Sequence, residues 1–312
     1  MQIFTAPQTI PDTAKGAVLA IGNFDGVHRG HQALLELARK RALAAGRPFG
    51  ILTFDPHPRS YFSKSTAPFR ITPGGHRLEQ LAYAKPDFIF TMNFNEKLAH
   101  TSADDFMNRV LRHDLGTDNL VVGENFHFGH MRTGSAETLR ENGFALTTLA
   151  PVTTADGKPY SSSHIRSLIA AGEIEEASSM LGWTWTVKGI VCHGDKRGRT
   201  LGYPTANVPL RETIHPAYGI YAGLVRIEGE KEWRQAALNI GIRPMFKTAE
   251  ALLEAHILDF TGDIYDKNIS IRPLLRIRAE EKFESLDALK EQIETDCQKI
   301  RFILSRRQVI AA

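Results

Sequence analysis

The chain has 312 residues, and at about 150 residues per domain this sets an expectation of two domains. Hydrophobic residues make up 42% and charged residues 23%, an ordinary globular mixture that excludes a disordered or low-complexity protein. Lys plus Arg number 38 against 35 Asp plus Glu, and the net charge of +3 argues for neither a nucleic-acid nor a membrane surface. Two cysteines, Cys192 and Cys297, make neither a disulfide framework nor a four-ligand zinc site, so no structural metal is expected. The opening MQIFTAPQTIPD has no basic n-region and no apolar h-region. No apolar run approaches the roughly 18 residues of a membrane span. A cytoplasmic protein is expected.

Strand and helix signals alternate through the first part of the chain. The apolar run Ala17 to Ile21 leads into a Gly-containing loop, then Gln32 to Ala45 reads as a helix with Leu34, Leu35, Leu37, Ala38 and Leu43 on its apolar side. Gly46 ends it. Phe49 to Phe54 and Asp87 to Met92 are further apolar runs, the second preceded by a helical stretch around His76 to Ala84. Ser102-Ala103-Asp104-Asp105 reads as a capped helix start with acids in its first turn, running to about Arg112. The strand Asn119 to Gly123, the helix Ser135 to Glu141 and the strand Phe144 to Leu149 follow. This alternation predicts a parallel, doubly wound α/β sheet.

The pattern changes near residue 183. Ser162 and Ser163 read as helix caps, and Ile174 to Leu181 is a second helix stopped by Gly182. Then come β-type runs at Thr184 to Val191, Gly219 to Ile227, Gln235 to Ile240, Leu252 to Leu258 and Ile269 to Ile277, separated by turn residues. They predict an antiparallel barrel or sandwich. A helix at about Ser285 to Leu304, with Leu286, Leu289, Ile293 and Ile300 at helical spacing, closes the chain. The expected domains are 1–182 and 183–312.

Chemistry concentrates in two places. Ile21-Gly22-Asn23-Phe24-Asp25-Gly26-Val27-His28-Arg29-Gly30-His31 joins the first strand to the first helix, where free amides and the helix dipole attract an anion. His28 and His31 are three apart and can project to one side. Gly30 between them lets a phosphate approach. The spacing is not that of a Walker P-loop. The second place is Gly189 to Asn207, where Gly194, Gly198 and Gly202 interleave with basic residues that could wrap a polyphosphate. Its end, Pro204-Thr205-Ala206-Asn207, consists of residues that by themselves suit a turn.

The first stretch resembles the H-x-G-H signature of the nucleotidyltransferase superfamily, and its longer form G-N-F-D-G-V-H-x-G-H resembles the adenylyltransferase half of bacterial bifunctional riboflavin kinase/FAD synthetases. Ser161-Ser162-Ser163-His164-Ile165-Arg166 resembles that family's S-S-T-x-I-R, and Thr53 to Pro58 resembles its F-x-P-H-P. Gly123 to Gly129 resembles G-x-D-F-R-F-G, with Asn125 in place of Asp and His127 in place of Arg. In the second half, Pro204 to Asn207 resembles the P-T-A-N of riboflavin kinases and Leu253 to Phe260 resembles L-E-x-H-x-x-D-F. Asn239 to Phe246 resembles N-x-G-x-R-P-T-F, with Met245 for Thr, and Asp263 to Asp266 resembles D-x-Y-G, with Asp266 for Gly. Arg278 and Phe283 complete the match.

The resemblance implies a nucleotidyltransferase domain with a Rossmann-like parallel sheet, followed by a riboflavin kinase β-barrel with a terminal helix. It implies a bifunctional enzyme: riboflavin is phosphorylated by ATP to FMN in the C-terminal domain, and FMN is adenylylated to FAD, with release of pyrophosphate, in the N-terminal domain. ATP contacts in the adenylyltransferase would come from Gly22, Phe24, His28, His31, Ser162, Ser163 and Arg166, with His28 and His31 catalytic. Flavin contacts would come from Pro56, His57 and Asn125. In the kinase, Gly194, Lys196, Gly198, Arg199, Pro204 and Thr205 would bind ATP. Thr205 and Asn207 would hold magnesium, and Glu254 would be the catalytic base. His256, on the same strand face as Glu254, has no assigned role. Mg2+ is expected with the ATP, riboflavin, FMN and FAD as substrates and products, no nucleic-acid or membrane partner, and a monomer or weak homo-oligomer. Two alternatives stay open: a flavin- or nucleotide-binding regulator that has lost one or both activities, and an adenylyltransferase for another substrate, which the second domain disfavours.

Overall fold

A computed structural model describes the chain apart from residues 7–9, 64–66, 195–201, 246–247 and 307–312. Two compact units emerge by contact: Met1–Ala67 with Thr72–Ser162, and Pro68–Ile71 with Ser163–Ala312.

The first unit is the expected parallel α/β domain. Its strands are β1 (Gln2–Thr5), β2 (Val18–Ile21), β3 (Phe49–Asp55), β4 (Phe88–Asn93), β5 (Asn119–Gly123) and, after the short hairpin β6 (His127–Phe128) and β7 (Gly134–Ser135), β8 (Ala145–Leu149). The order is β1-β4-β3-β2-β5-β8, with every described pairing in this sheet parallel. Residues of β2 alternate between two cores: Leu19 and Ile21 join one cluster, Val18 and Ala20 the other. That is the signature of a strand covered on both faces. The order reverses at β2, whose neighbours are β3 and β5, so a crevice at the carboxyl ends of these strands is the expected ligand position.

The helices of this unit are α1 (Arg29–Ala45), α2 (Pro58–Phe62), α3 (Gly74–Ala82), α4 (Glu96–Ala99), α5 (Ala103–Asp105) and α6 (Ala136–Glu141). Helix α5 continues as a π-helix over Phe106–Asp114. Ser102 caps α5 as expected, accepting from Asp105 N–H, and Ser135 caps α6 in a reciprocal capping box with Thr138.

The second unit opens with α7 (Ser162–Ala171) and α8 (Ile174–Leu181). Ser162 is the first residue of α7, so it and Ser163 are helical residues and not caps. Six strands follow: β9 (Val187–Ile190), β10 (Ala206–Pro209), β11 (Gly219–Ile227), β12 (Arg234–Met245), β13 (Thr248–Ile257) and β14 (Asn268–Arg278). They form an antiparallel sheet in the order β10-β13-β12-β11-β14-β9. A bridge between Cys192 and Asn207 links the two ends, so the sheet curls into a nearly closed barrel. The terminal helix α9 (Leu286–Ser305) packs Cys297, Ile300 and Leu304 against Ala222 and Leu258. Arg278 of β14 pins it through a bidentate pair with the buried Asp296, at 2.8 to 3.2 Å.

The contact boundary at 162/163 precedes the sequence-based 182/183 because α8 packs on β14. The segment Pro68–Ile71 also belongs to the second unit: Arg70 pairs with Thr213, and the buried Trp185 indole donates to Ile71 O at 3.1 Å.

Candidate active sites

In the first unit the motif turns sharply out of β2. Phe24 and Val27 adopt positive φ values of 52° and 38° and Gly26 one of 83°, conformations that non-glycine residues adopt only when the surroundings enforce them. The enforcement is visible. The carboxylate of Asp25, 1% exposed, accepts from Thr72 N–H at 3.0 Å, while Gly26 N–H donates to Thr72 Oγ1 at 2.8 Å. Ser162 Oγ donates to Asp25 O at 2.8 Å. Arg77, 1% exposed, donates to Asn23 O at 3.1 Å and pairs with Asp55 at 3.6 Å. A side chain on Gly22 would strike the Phe24 ring at 2.9 Å.

This loop delivers the two histidines to the start of α1. His28 is its N-cap, and its Nδ1 accepts from His31 N–H at 3.4 Å. A neutral His28 ring therefore carries its proton on Nε2. The imidazoles stack, with centroids 3.6 Å apart, and Phe24 meets His31 edge-on at 5.3 Å. A Cβ on Gly30 would come within 3.1 Å of the His28 ring, so the glycine leaves room for the stack. Two rings this close repel when both are charged. An anion at the helix start would offset that repulsion and also meet the positive end of the helix dipole.

Beside Gly22 and Asn23 opens a cavity of about 710 Å³, lined among others by Phe54, His57, Phe62, Asn125 and Phe128. Its walls come from the end of β3 and from the segments that follow β2, β3, β4 and β5, at the crevice that the strand order singles out. His57 and Asn125 thus share one cavity with the glycine loop; of the two prolines flanking His57, Pro58 lines it. His57 caps α2 by accepting from Arg59 N–H at 3.0 Å. Phe62 is 65% exposed, leaving an apolar wall open to a planar ligand.

Ser163 and Arg166 fall in the second unit, where Arg166 Nε donates to Phe69 O at 2.9 Å. In that unit Asn207, Glu254 and Asn239 lie side by side on β10, β13 and β12. Directly paired residues project from the same face. Asn239 Nδ2 donates to Glu254 Oε2 at 3.2 Å. Asn207 is 6% exposed, and a Cβ on Gly194 would lie only 2.7 Å from its Nδ2. The glycine is therefore a cradle for the Asn207 amide. Cys192 N–H donates to Asn207 O at 2.9 Å, holding the backbone in place. Lys196, Gly198 and Arg199 lie outside the described residues, as do the rest of 195–201 and Phe246.

Sequence reasoning left Thr72, Arg77 and Asn239 without roles. Nothing in one dimension marks the first two, which reach the glycine loop from about 50 residues away by fold alone. Asn239 carried a signal, a polar residue within an apolar strand, but its partner depends on register.

Comparison with known proteins agrees with this geometry. The FAD synthetase family model matches residues 10–164 and the riboflavin kinase model matches 181–304. The bifunctional riboflavin kinase/FMN adenylyltransferase of Pseudomonas fluorescens is 38% identical over 308 residues, 95% of this chain and 96% of that protein. Its counterpart in Escherichia coli K12 is 38% identical over 286 residues, 90% of this chain and 91% of that one. The crystal structure of a macrolide-efflux protein from Streptococcus pneumoniae superposes with a TM-score of 0.84 at 30% identity, covering 96% of this chain and 99% of that one. Among the described residues no helix is long and apolar enough to cross a membrane. With a parallel α/β unit bearing the H-x-G-H turn, a barrel bearing P-T-A-N beside Glu254, and relatives matched along nearly their whole length, this chain belongs to the bifunctional riboflavin kinase/FMN adenylyltransferase family.

Proposed function

We propose that residues 1–182 adenylylate FMN and residues 183–312 phosphorylate riboflavin, each through its own site. The observation that carries the reading is the presence of two chemically distinct constellations, a histidine pair at a helix start and a carboxylate between two asparagines.

Adenylyl transfer needs no base. The FMN phosphate is already anionic; its oxygen attacks the α-phosphorus of ATP, and the bond to the pyrophosphate oxygen breaks. The task is alignment and charge stabilisation. His28 and His31, with the amides at the start of α1, would take up negative charge developing on the leaving pyrophosphate. Gly22 and Phe24 shape the loop that ATP would approach. His57 and Asn125 would contact the flavin within the aromatic cavity, and Pro56 would fix the loop. For Ser162, Ser163 and Arg166 the ATP assignment is supported by their motif's resemblance.

Phosphorylation of riboflavin does need a base. The 5′-hydroxyl of the ribityl chain attacks the γ-phosphorus, the bond to ADP breaks, and the hydroxyl proton passes to Glu254. The donation from Asn239 fixes the plane of that carboxylate. Thr205 and Asn207 supply hard oxygens of the kind magnesium takes, and the Gly194 cradle gives the Asn207 amide a defined position. They would hold a magnesium ion, which when bound neutralises phosphate charge. Gly194, Lys196, Gly198, Arg199 and Pro204 complete the proposed ATP contacts. The reading includes a monomer or weak homo-oligomer acting in the cytoplasm.

A chromatographic time course with riboflavin, ATP and magnesium, repeated from FMN, tests this. FMN followed by FAD is expected. FMN alone from either start would remove the adenylyltransferase assignment, and bound flavin with no product would favour the binding-protein alternative.

A further inference from the structure

His256 follows Glu254 by two residues on β13, and its side chain reaches across to the segment ahead of β10. That strand begins at Ala206. Pro204 has no N–H and cannot extend the ladder, yet its carbonyl is held: His256 Nδ1 lies 2.9 Å from Pro204 O. A carbonyl only accepts, so the contact requires Nδ1–H. The neighbouring Tyr203 ring meets the His256 imidazole edge-on at 5.3 Å. The Tyr203 hydroxyl donates to Glu294 Oε2 on α9 at 2.7 Å. Three successive anchors therefore fix this stretch: α9 through Tyr203, β13 through Pro204, and Cys192 through Asn207 O.

We propose that His256 is a positioning residue for riboflavin phosphorylation, setting the Pro204 carbonyl and with it the oxygens of Thr205 and Asn207. The inference rests on the proposed assignment of those two residues to magnesium. The Pro204–Thr205 peptide is planar, so fixing Pro204 O also fixes the direction in which Thr205 leaves it. Residues two apart on a strand are about 7 Å apart on one face. The base and the anchor of the metal ligands thus ride on a single strand, and their relative placement is built into β13.

The test measures the magnesium dependence of FMN formation from riboflavin in full-length wild type, His256→Phe, His256→Asn and Asn207→Ala. Thermal unfolding followed by circular dichroism reports on folding in each, and binding of Mn2+ in place of magnesium, followed by electron paramagnetic resonance, reads the metal site apart from turnover. His256→Phe keeps a ring and loses the donor. Its half-saturating magnesium concentration should rise about five- to tenfold, with a smaller change in kcat, because a net hydrogen bond is worth up to about one factor of ten. His256→Asn carries an amide N–H near the position of Nδ1 and should recover most of the loss. A wild-type magnesium dependence in His256→Phe, while Asn207→Ala requires more metal, overturns the role of His256 alone. An unchanged dependence in Asn207→Ala overturns the metal assignment beneath it. Loss of kcat in both His256 variants, with unaltered magnesium dependence, would make the residue merely structural and also overturn the proposal.

Discussion

The two candidate sites are assembled in opposite ways. The histidine motif of the first is contiguous: ten residues, Gly22 to His31, leave a parallel strand, turn through positive φ angles and enter a helix. Its proposed chemistry is that of a helix start, an anion site made by the helix dipole and two stacked rings. The second is spread over three antiparallel strands, with Asn207, Glu254 and Asn239 brought abreast by register. Its proposed chemistry is that of a base beside hard oxygen ligands. The difference follows the reactions: an anionic nucleophile needs only a place to react, whereas a hydroxyl must also lose a proton.

That comparison breaks most sharply at Glu254. Glu254→Gln removes the base and keeps the shape. FMN formation should fall by about 10²- to 10⁴-fold, with FAD formation from supplied FMN unchanged; retained phosphorylation removes Glu254 as the base. His31→Ala is the counterpart in the first site. Adenylylation should drop by about 10²- to 10³-fold, the usual loss for one preorganised charge-stabilising donor, while riboflavin is still converted to FMN. Equal FAD output from this variant would contradict the role of the histidine pair.

Glycine substitutions sharpen the contrast. Both sites clear space beside a key side chain, but an added methyl would stand 2.7 Å from Asn207 Nδ2 at Gly194 and 3.1 Å from the His28 ring at Gly30. Gly194→Ala must displace the amide and should reduce riboflavin phosphorylation about tenfold, an overpacking effect of order 1–3 kcal/mol. Gly30→Ala requires a smaller adjustment and should reduce adenylylation less. Steady-state rates of the two reactions in both variants decide it; equal losses would mean the clearances do not govern the sites.

The units should also differ in alkali. In the second, burial pushes the Cys297 thiol up to about 11 and the Tyr221 phenol up to about 12. A group whose folded value is raised stabilises fully below its unfolded value and loses that contribution as pH rises toward the folded one. The second unit should therefore lose stability progressively between about pH 9 and 12. Thermal unfolding followed by kinase activity against adenylyltransferase activity would show it; a second unit indifferent to that range would contradict the burial.

How much was legible in the sequence follows the same division. Local signals placed the strand preceding the first motif, the capped helix at Ser102 and the terminal helix, because caps and apolar periodicity act over a few residues. The H-x-G-H turn was legible for that reason. The edge strand Gln2–Thr5 was missed, being four residues long and mostly exposed. Strand β10 begins within Pro204-Thr205-Ala206-Asn207, whose residue types also suit a turn, and runs only four residues. The donation from Asn239 to Glu254 depends on a one-residue register that no spacing reveals, and the anchoring of Pro204 by His256 joins residues 52 apart in sequence. Long-range pairing, not residue chemistry, was the missing information.

Two independent sites acting in sequence on one flavin should complement each other when each is inactivated in a different protein. Purified Glu254→Gln and His31→Ala proteins are incubated with riboflavin, ATP and magnesium, separately and mixed, with products followed by chromatography. Glu254→Gln alone should leave riboflavin untouched, His31→Ala alone should accumulate FMN, and the mixture should form FAD. A mixture that stalls at FMN, or FAD from either variant alone at the wild-type rate, would show that the two sites do not act independently in sequence.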